Sequence, residues 1–116
     1  MINGKLTTLA IFDKPDPLEG PYFEETIYVT PSRKSEETQY LIKNMAEQAA
    51  NAIGLKEGPV HIELRIPPKK ESTNDKGPCV IEIAARSIGG LCSRSLEFVD
   101  GLTLEDIILN HCLLYT

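Results

Sequence analysis

Apolar residues at helical spacing identify one long amphipathic segment. Ser35 can cap the start of a helix, and Glu36 and Glu37 then lie in its first turn, where the helix dipole favours negative charge. The apolar positions that follow recur every three or four residues and form one stripe: Leu41, Ile42, Met45, Ala46, Ala49, Ala50 and Ile53. Gly54 follows where a left-handed stop belongs. The pattern predicts a helix over residues 35–53 whose alanines allow close packing on a sheet.

Strict alternation of apolar and polar residues predicts a strand over residues 58–66. His61, Glu63 and Arg65 share one face of it, opposite the apolar positions Val60, Ile62, Leu64 and Ile66. Residues 79–85 form another apolar run, and a polar stretch separates the two segments. Because neighbouring strands in sequence usually pair, the two segments are predicted to form a hairpin with an exposed tip.

Two more strands and a second helix complete the predicted elements. Residues 5–12 and 22–30 are rich in strand-forming residues, and the loop between them contains three prolines. Thr103 and Asp106 have the spacing of a capping box and predict a helix at the end of the chain. The elements indicate an α+β fold, an antiparallel sheet packed against helices, in one domain covering residues 1–116.

Composition excludes several classes of function. The net charge of −5 disfavours non-specific nucleic-acid binding, and no apolar run reaches the roughly 20 residues that span a bilayer. Cys79, Cys92 and Cys112 are an odd, widely spaced set that indicates neither a disulfide framework nor a zinc site. A reducing cytoplasm is the location that this cysteine pattern favours.

Two carboxylates meet in the predicted hairpin. A turn centred between residues 72 and 73 places Glu63 opposite Glu82, His61 opposite Ala84, and Arg65 opposite Val80. Opposed carboxylates repel each other unless a cation lies between them. Two acids and a histidine, with no lysine close in register, therefore predict a site for Mg²⁺ or Mn²⁺.

Two structural interpretations compete with a metal site. The face that carries Glu63 and Glu82 is, in the first, the solvated side of an antiparallel sheet. In the second, Glu82 is nearly buried, because its neighbours in sequence are apolar, and a buried acid needs a partner. Arg86 is then that partner in a purely structural ion pair.

The sequence around the two acids resembles a known family. The residues H-I-E at 61–63, and E-I-A-A-R at 82–86 followed by S-I-G-G, resemble the C-terminal part of the ATP-grasp superfamily, which includes carboxylate–amine ligases and domains like those of carbamoyl-phosphate synthase. The stretch from F-D-K-P to T-P-S-R also looks like these ligases. The resemblance covers essentially the whole chain and is most specific over residues 79–95. Ala84 departs from it, because many members have a metal-binding asparagine there, although some purine-biosynthesis members have E-I-A-P-R.

The resemblance implies a role for each site residue. Glu63 and Glu82 would bind Mg²⁺ (or Mn²⁺), and Arg86 would contact the transferring phosphoryl group. Contacts with ATP, phosphate or substrate would come from the remaining candidates: Gly89, Gly90, Arg94 and His61.

The reaction that the resemblance implies is ATP-dependent ligation. ATP would activate a small carboxylate as an acyl-phosphate, and an amine would displace the phosphate. The family's nucleotide-binding lysines and glycine-rich loop have no counterpart here. The chain is therefore expected to be a C-terminal fragment that is inactive or severely weakened by itself. The alternative is a non-catalytic folding or oligomerisation module with a structural Glu82–Arg86 pair. Exposed sheet edges also predict a homodimer.

Overall fold

The computed structural model describes residues 1–15, 27–67 and 77–115. Its elements, in chain order, are α1 (Glu36–Ala52), β1 (His61–Arg65), β2 (Cys79–Ala84), two short 3₁₀ turns (Ser93–Ser95 and Val99–Gly101) and α2 (Leu104–Tyr115). β1 and β2 form an antiparallel two-stranded sheet, and α1 packs against β2. The predicted α+β class is confirmed.

Helix α1 begins and ends as its sequence predicts. The Ser35 hydroxyl accepts a hydrogen bond from the Thr38 backbone N–H at 3.2 Å and caps the first turn. At the other end, Gly54 has a φ of +77°. Two residues that follow the helix donate their N–H groups to carbonyls of its final turn, Gly54 to Asn51 at 2.9 Å and Leu55 to Ala50 at 3.0 Å. This is a Schellman motif, and it needs a residue that tolerates the left-handed conformation.

The buried side of α1 consists of small residues. Ala46 and Ala50 are its two buried positions, and Ala50 is fully covered. Small side chains let the helix backbone approach β2 closely. The predicted apolar stripe is only partly buried, because Leu41 and Ile53 remain 43% and 55% exposed.

The hairpin register agrees with the prediction as far as the two acids. Glu63 lies opposite Glu82, and His61 lies opposite Ala84. Beyond them a β-bulge leaves one extra residue on β2, so Arg65 pairs with Cys79. The predicted pairing of Arg65 with Val80 is therefore wrong, because a constant register cannot accommodate the extra residue.

The N-terminal segment does not form the predicted strand over residues 5–12. Within the described residues this part of the chain has only isolated bridges, Ile2 with Lys5 and Asp13 with Val29. Its apolar side chains, including Leu6 and Ile11, line a cleft instead of one face of a sheet. The predicted strand over residues 22–30 is described only from residue 27, where Val29 makes its single bridge. The rest of that prediction, and most of the predicted hairpin tip, lie outside the described residues.

Helix α2 starts with a reciprocal capping box. The Thr103 N–H donates to the Asp106 carboxylate at 2.9 Å, and the Asp106 N–H donates to the Thr103 hydroxyl oxygen at 3.1 Å. Hydrogen bonds from the Thr103 side chain and backbone lower the pKa of Asp106. The start of this helix was thus correctly predicted from the sequence.

The core of the described residues is small. Its buried apolar residues are Met1, Ala46, Ala50 and Leu104. Several large apolar side chains are mostly exposed, among them Leu91, Val99, Leu113 and Leu114. Neither helix in the described part of the chain has the length and apolar character needed to cross a membrane.

Candidate metal and phosphate site

Glu63 and Glu82 face each other across the hairpin. Glu63 is on β1 and its side chain is 26% exposed, whereas the side chain of Glu82 on β2 is 57% exposed. The predicted near-burial of Glu82 is wrong. Apolar neighbours in sequence bury a strand residue only where another layer covers that face of the sheet, and among the described residues no such layer covers Glu82.

A lysine from the N-terminal segment lies beside the first acid. Lys14 Nζ is 3.0 Å from Glu63 Oε2, and both side chains are 26% exposed. The same ammonium lies 5.6 Å from the centre of the Tyr28 ring, which itself packs edge-on against Phe12. Lys14 is not in register with the hairpin, and strand register did not indicate it because register compares only the two paired strands. Lys14 reaches Glu63 from 49 residues away in sequence.

Arg86 lies beside the second acid. Its Nη2 atom is 3.9 Å from Glu82 Oε1, and more than half of each side chain is exposed. The guanidinium also donates to the Ser87 carbonyl at 3.0 Å. A long, exposed ion pair of this kind contributes roughly 0–1 kcal/mol to stability. The geometry leaves Arg86 able to exchange Glu82 for another anion at little cost.

The two acids fit a magnesium ion in donor type and number. Mg²⁺ commonly takes one or two carboxylates and completes its shell with phosphate oxygens and water. Within residues 1–15, 27–67 and 77–115, no group of three or more His, Cys, Asp or Glu side chains could hold a metal ion. Ala84, opposite His61, offers only a methyl group. The remaining ligands would therefore come from a phosphate-bearing substrate and from water.

His61 carries an unusual ring nitrogen. Its Nδ1 atom is buried and has no hydrogen-bond partner among the described residues. An unpaired buried polar atom is costly in a folded protein. His61 therefore remains a candidate for contact with a bound group, as predicted.

The other predicted contacts lie beyond β2. Gly90 has a φ of +65°, which disfavours any other residue there, whereas a Cβ on Gly89 would meet only Arg86 Nη1 at 4.0 Å. Arg94 is exposed in the first 3₁₀ turn. Among the described residues, Arg94 makes no ion pair with Glu63 or Glu82.

A cleft of about 770 Å³ has His61 and Glu63 in its lining, whereas Glu82 and Arg86 lie outside it. The N-terminal segment, β1 and α2 line it with mainly apolar side chains, and its polar lining includes Lys14, Tyr28, His61 and Glu63. Its volume lies in the range of small-molecule sites. Sequence reasoning missed Lys14 and Tyr28, although both lie in or beside the stretch from F-D-K-P to T-P-S-R that resembles the ligases.

Comparison with known proteins identifies the family. A family model described as an ATP-grasp domain matches residues 2–95. The chain therefore belongs to the ATP-grasp family, which confirms the resemblance inferred from the acids and Arg86.

Two similar proteins, both ligases, cover most of this chain. Alanine–anticapsin ligase of Bacillus subtilis (strain 168) is 30% identical over 110 residues, which are 95% of this chain and 21% of that protein. The crystal structure of L-amino acid ligase from Bacillus licheniformis matches with a TM-score of 0.76 and 33% identity, over 97% of this chain and 26% of that one. The chain is thus related to these two ligases and spans about a fifth to a quarter of their length.

Proposed function

We propose that residues 1–116 form the C-terminal portion of the ATP-grasp domain of an amino acid ligase. In this proposal the chain binds Mg²⁺ or Mn²⁺ and the phosphates of ATP. The observation that carries it is the placement of Glu63 opposite Glu82. Family membership and the two ligase relatives support the same assignment.

Each residue of the site has a defined task in this proposal. Glu63 and Glu82 bind the metal, and Arg86 leaves Glu82 to contact the phosphoryl group in transfer, where a fixed positive charge stabilises the transition state. When bound, the metal ion neutralises charge on the phosphates. Further contacts with nucleotide or substrate come from Gly89, Gly90, Arg94 and His61.

The proposed reaction joins two amino acids. ATP transfers its terminal phosphoryl group to the carboxylate of one substrate, and the amine of the second displaces phosphate from the acyl-phosphate. The names of the two relatives support amino acids as substrates. The match covers 21% and 26% of the relatives, so ligation is proposed for an enzyme that contains this chain. The 116 residues alone are expected to bind metal with little or no turnover.

Two further proposals concern the cellular location and the oligomeric state of the chain. Its cysteine pattern favours a cytoplasmic location. A homodimer in solution is favoured by exposed apolar side chains, such as Leu113 and Leu114, and by sheet edges that no other described strand pairs with. A monomeric mass by light scattering would contradict the dimer.

Titration with Mn²⁺ tests the metal site directly. Calorimetry would compare the unchanged chain with Glu63→Gln and Glu82→Gln. Glu97→Gln serves as a control because Glu97 is exposed and lies on neither strand of the hairpin. We expect each site variant to lose about tenfold or more in affinity, since a neutral amide binds a hard dication less well than a carboxylate does. The control should bind as the unchanged chain does.

Two outcomes of the Mn²⁺ titration would favour the non-catalytic module instead. If the chain binds no Mn²⁺, or if neither site variant weakens binding, the metal-site assignment fails. The exposed Glu82–Arg86 pair would then be a surface ion pair with little effect on stability.

A further inference from the structure

We propose that Lys14 is a positioning residue that occupies Glu63 before the metal binds and then moves to a phosphate oxygen that arrives with the metal. The inference rests on the proposed function, because it concerns the same carboxylate. It adds a residue that neither the acid register nor the E-I-A-A-R motif indicates. It also adds a consequence, preference for metal–phosphate complexes over bare metal ions.

The contact between Lys14 and Glu63 is closer and more shielded than a typical surface ion pair. The Nζ–Oε2 distance is 3.0 Å, and about three quarters of each side chain is covered. At this distance the ammonium donates a charge-assisted hydrogen bond to the carboxylate oxygen. That oxygen therefore has a cation bound to it before any metal approaches.

The fold holds Lys14 at this place. The preceding residue, Asp13, exchanges two backbone hydrogen bonds with Val29, at 2.8 and 2.9 Å. The Asp13 carboxylate also accepts hydrogen bonds from the Ser32 hydroxyl at 2.6 Å and the Arg33 N–H at 2.8 Å. These bonds fix the backbone beside Lys14. The Tyr28 ring, 5.6 Å from the ammonium, adds a favourable cation–π contact.

A bare dication must compete with this ammonium. The metal ion and the Lys14 ammonium both bind the Glu63 carboxylate. At contact distances the two cations repel each other strongly, because solvent is partly excluded there. A metal ion that arrives alone must displace Lys14 into a site that holds no new anion. Glu82 presents a smaller obstacle, because its arginine is 3.9 Å away and more exposed. The competition is therefore specific to Lys14 and Glu63.

A metal ion that arrives with phosphates changes this balance. The displaced ammonium then lies next to phosphate oxygens, and lysine is a common ligand of phosphate. The same positive charge that opposes the bare ion thus favours the metal–phosphate complex. Removing that charge should move the two affinities in opposite directions, which a purely structural role would not do.

Calorimetry on the 116-residue chain tests this with two probes, Mn²⁺ alone and Mn²⁺ with tripolyphosphate. We expect Lys14→Met to bind Mn²⁺ alone about tenfold more tightly and Mn²⁺–tripolyphosphate about tenfold more weakly. Lys14→Arg keeps the charge and should change neither affinity more than about threefold. Lys56→Met is the matched control, since Lys56 is exposed and does not line the cleft. Lys14→Gln repeats the test if the methionine variant does not fold, as judged by circular dichroism.

The outcomes separate the inference from the function on which it rests. If neither Glu63→Gln nor Glu82→Gln weakens Mn²⁺ binding, the proposed function fails. If only Glu82→Gln weakens it, Glu63 is not a ligand and the inference about Lys14 is overturned. If Glu63→Gln weakens binding but Lys14→Met and Lys14→Gln leave both affinities unchanged, the inference about Lys14 is overturned and the metal site stands. A fall in both affinities would also overturn it, because Lys14 would then only hold Glu63 in place.

Discussion

Glu63 and Glu82 lie directly opposite each other on neighbouring strands. Each carboxylate is paired with its own cation, one distant in sequence and one only four residues away. Lys14 neutralises Glu63 from the N-terminal segment, and Arg86 approaches Glu82 from just beyond the same strand. The two cations relieve a repulsion that the register would otherwise create. The site is thus an arrangement of four charges and not an isolated pair of acids.

The two ion pairs should contribute differently to stability. Glu63→Gln removes the charge-assisted hydrogen bond between the Lys14 ammonium and the Glu63 carboxylate, so we expect a loss of about 1 kcal/mol in the free energy of unfolding. Arg86→Ala removes an exposed, long contact and should change it by less than about 0.5 kcal/mol. Urea denaturation in the absence of metal measures the free energy of unfolding of both variants. A larger loss for Arg86→Ala than for Glu63→Gln would support the structural role of the Glu82–Arg86 pair.

Gly54, at the end of α1, should tolerate substitution poorly. Its φ of +77° places any other residue in a disfavoured conformation, so Gly54→Ala should destabilise the chain by about 1 kcal/mol. Gly77→Ala is the matched control, because a Cβ at Gly77 would meet no atom within 4 Å and Gly77 has no positive φ. Thermal unfolding followed by circular dichroism compares the two. Equal melting temperatures would argue against a Schellman motif at this helix end.

The capping box of α2 should make stability depend on pH. Its hydrogen bonds lower the pKa of Asp106 below the ordinary value of 3.8. A carboxyl whose pKa is lower in the folded state stabilises the fold above its unfolded pKa, and this contribution is lost as the pH falls through the folded pKa.

The pH effect is best measured against a variant. The difference in unfolding free energy between the unchanged chain and Asp106→Asn should be largest near pH 6 and shrink as the pH falls below about 4. Glu105→Gln, in the same turn of α2, controls for general charge effects. A difference that stays constant from pH 6 to pH 3 would contradict the role of the ionised Asp106.

Ala84 should be a position where metal binding can be strengthened. It lies two residues beyond Glu82, and alternate residues of a strand share a face. Ala84→Asn places a carbonyl oxygen on that face, and we expect Mn²⁺ affinity to rise about threefold to tenfold in the titration. Ala85→Asn is the control, since Ala85 is adjacent in sequence and follows the end of the strand. Equal affinities for the two variants would place Ala84 outside the metal's reach.

The sequence predicted those features that depend on residues close together along the chain. The cap at Ser35, the stop at Gly54 and the capping box at Thr103 each involve side chains or backbone groups within a few residues. The opposition of Glu63 and Glu82 also followed, because one loop determines the register of a hairpin. The family resemblance was likewise carried by short stretches, H-I-E at 61–63 and E-I-A-A-R at 82–86.

Features that depend on tertiary packing were not predictable in this way. Lys14 reaches Glu63 from a distant segment, and no strand register contains that contact. The exposure of Glu82 depends on which layers cover the sheet, and its apolar neighbours in sequence do not show this. The N-terminal segment has strand-forming residues, yet its apolar side chains line a cleft.

The β-bulge follows immediately after the pair of acids, and this allows the hairpin beyond them to change in length. The extra residue, Ile81, falls between Glu82 and Val80, so the strand beyond the acids can shift by one position while the acids stay opposed. Insertions or deletions in the hairpin loop can therefore be absorbed without moving Glu63 away from Glu82. For this chain, the pairing of the two strands therefore defines the site better than the number of residues between the two acids.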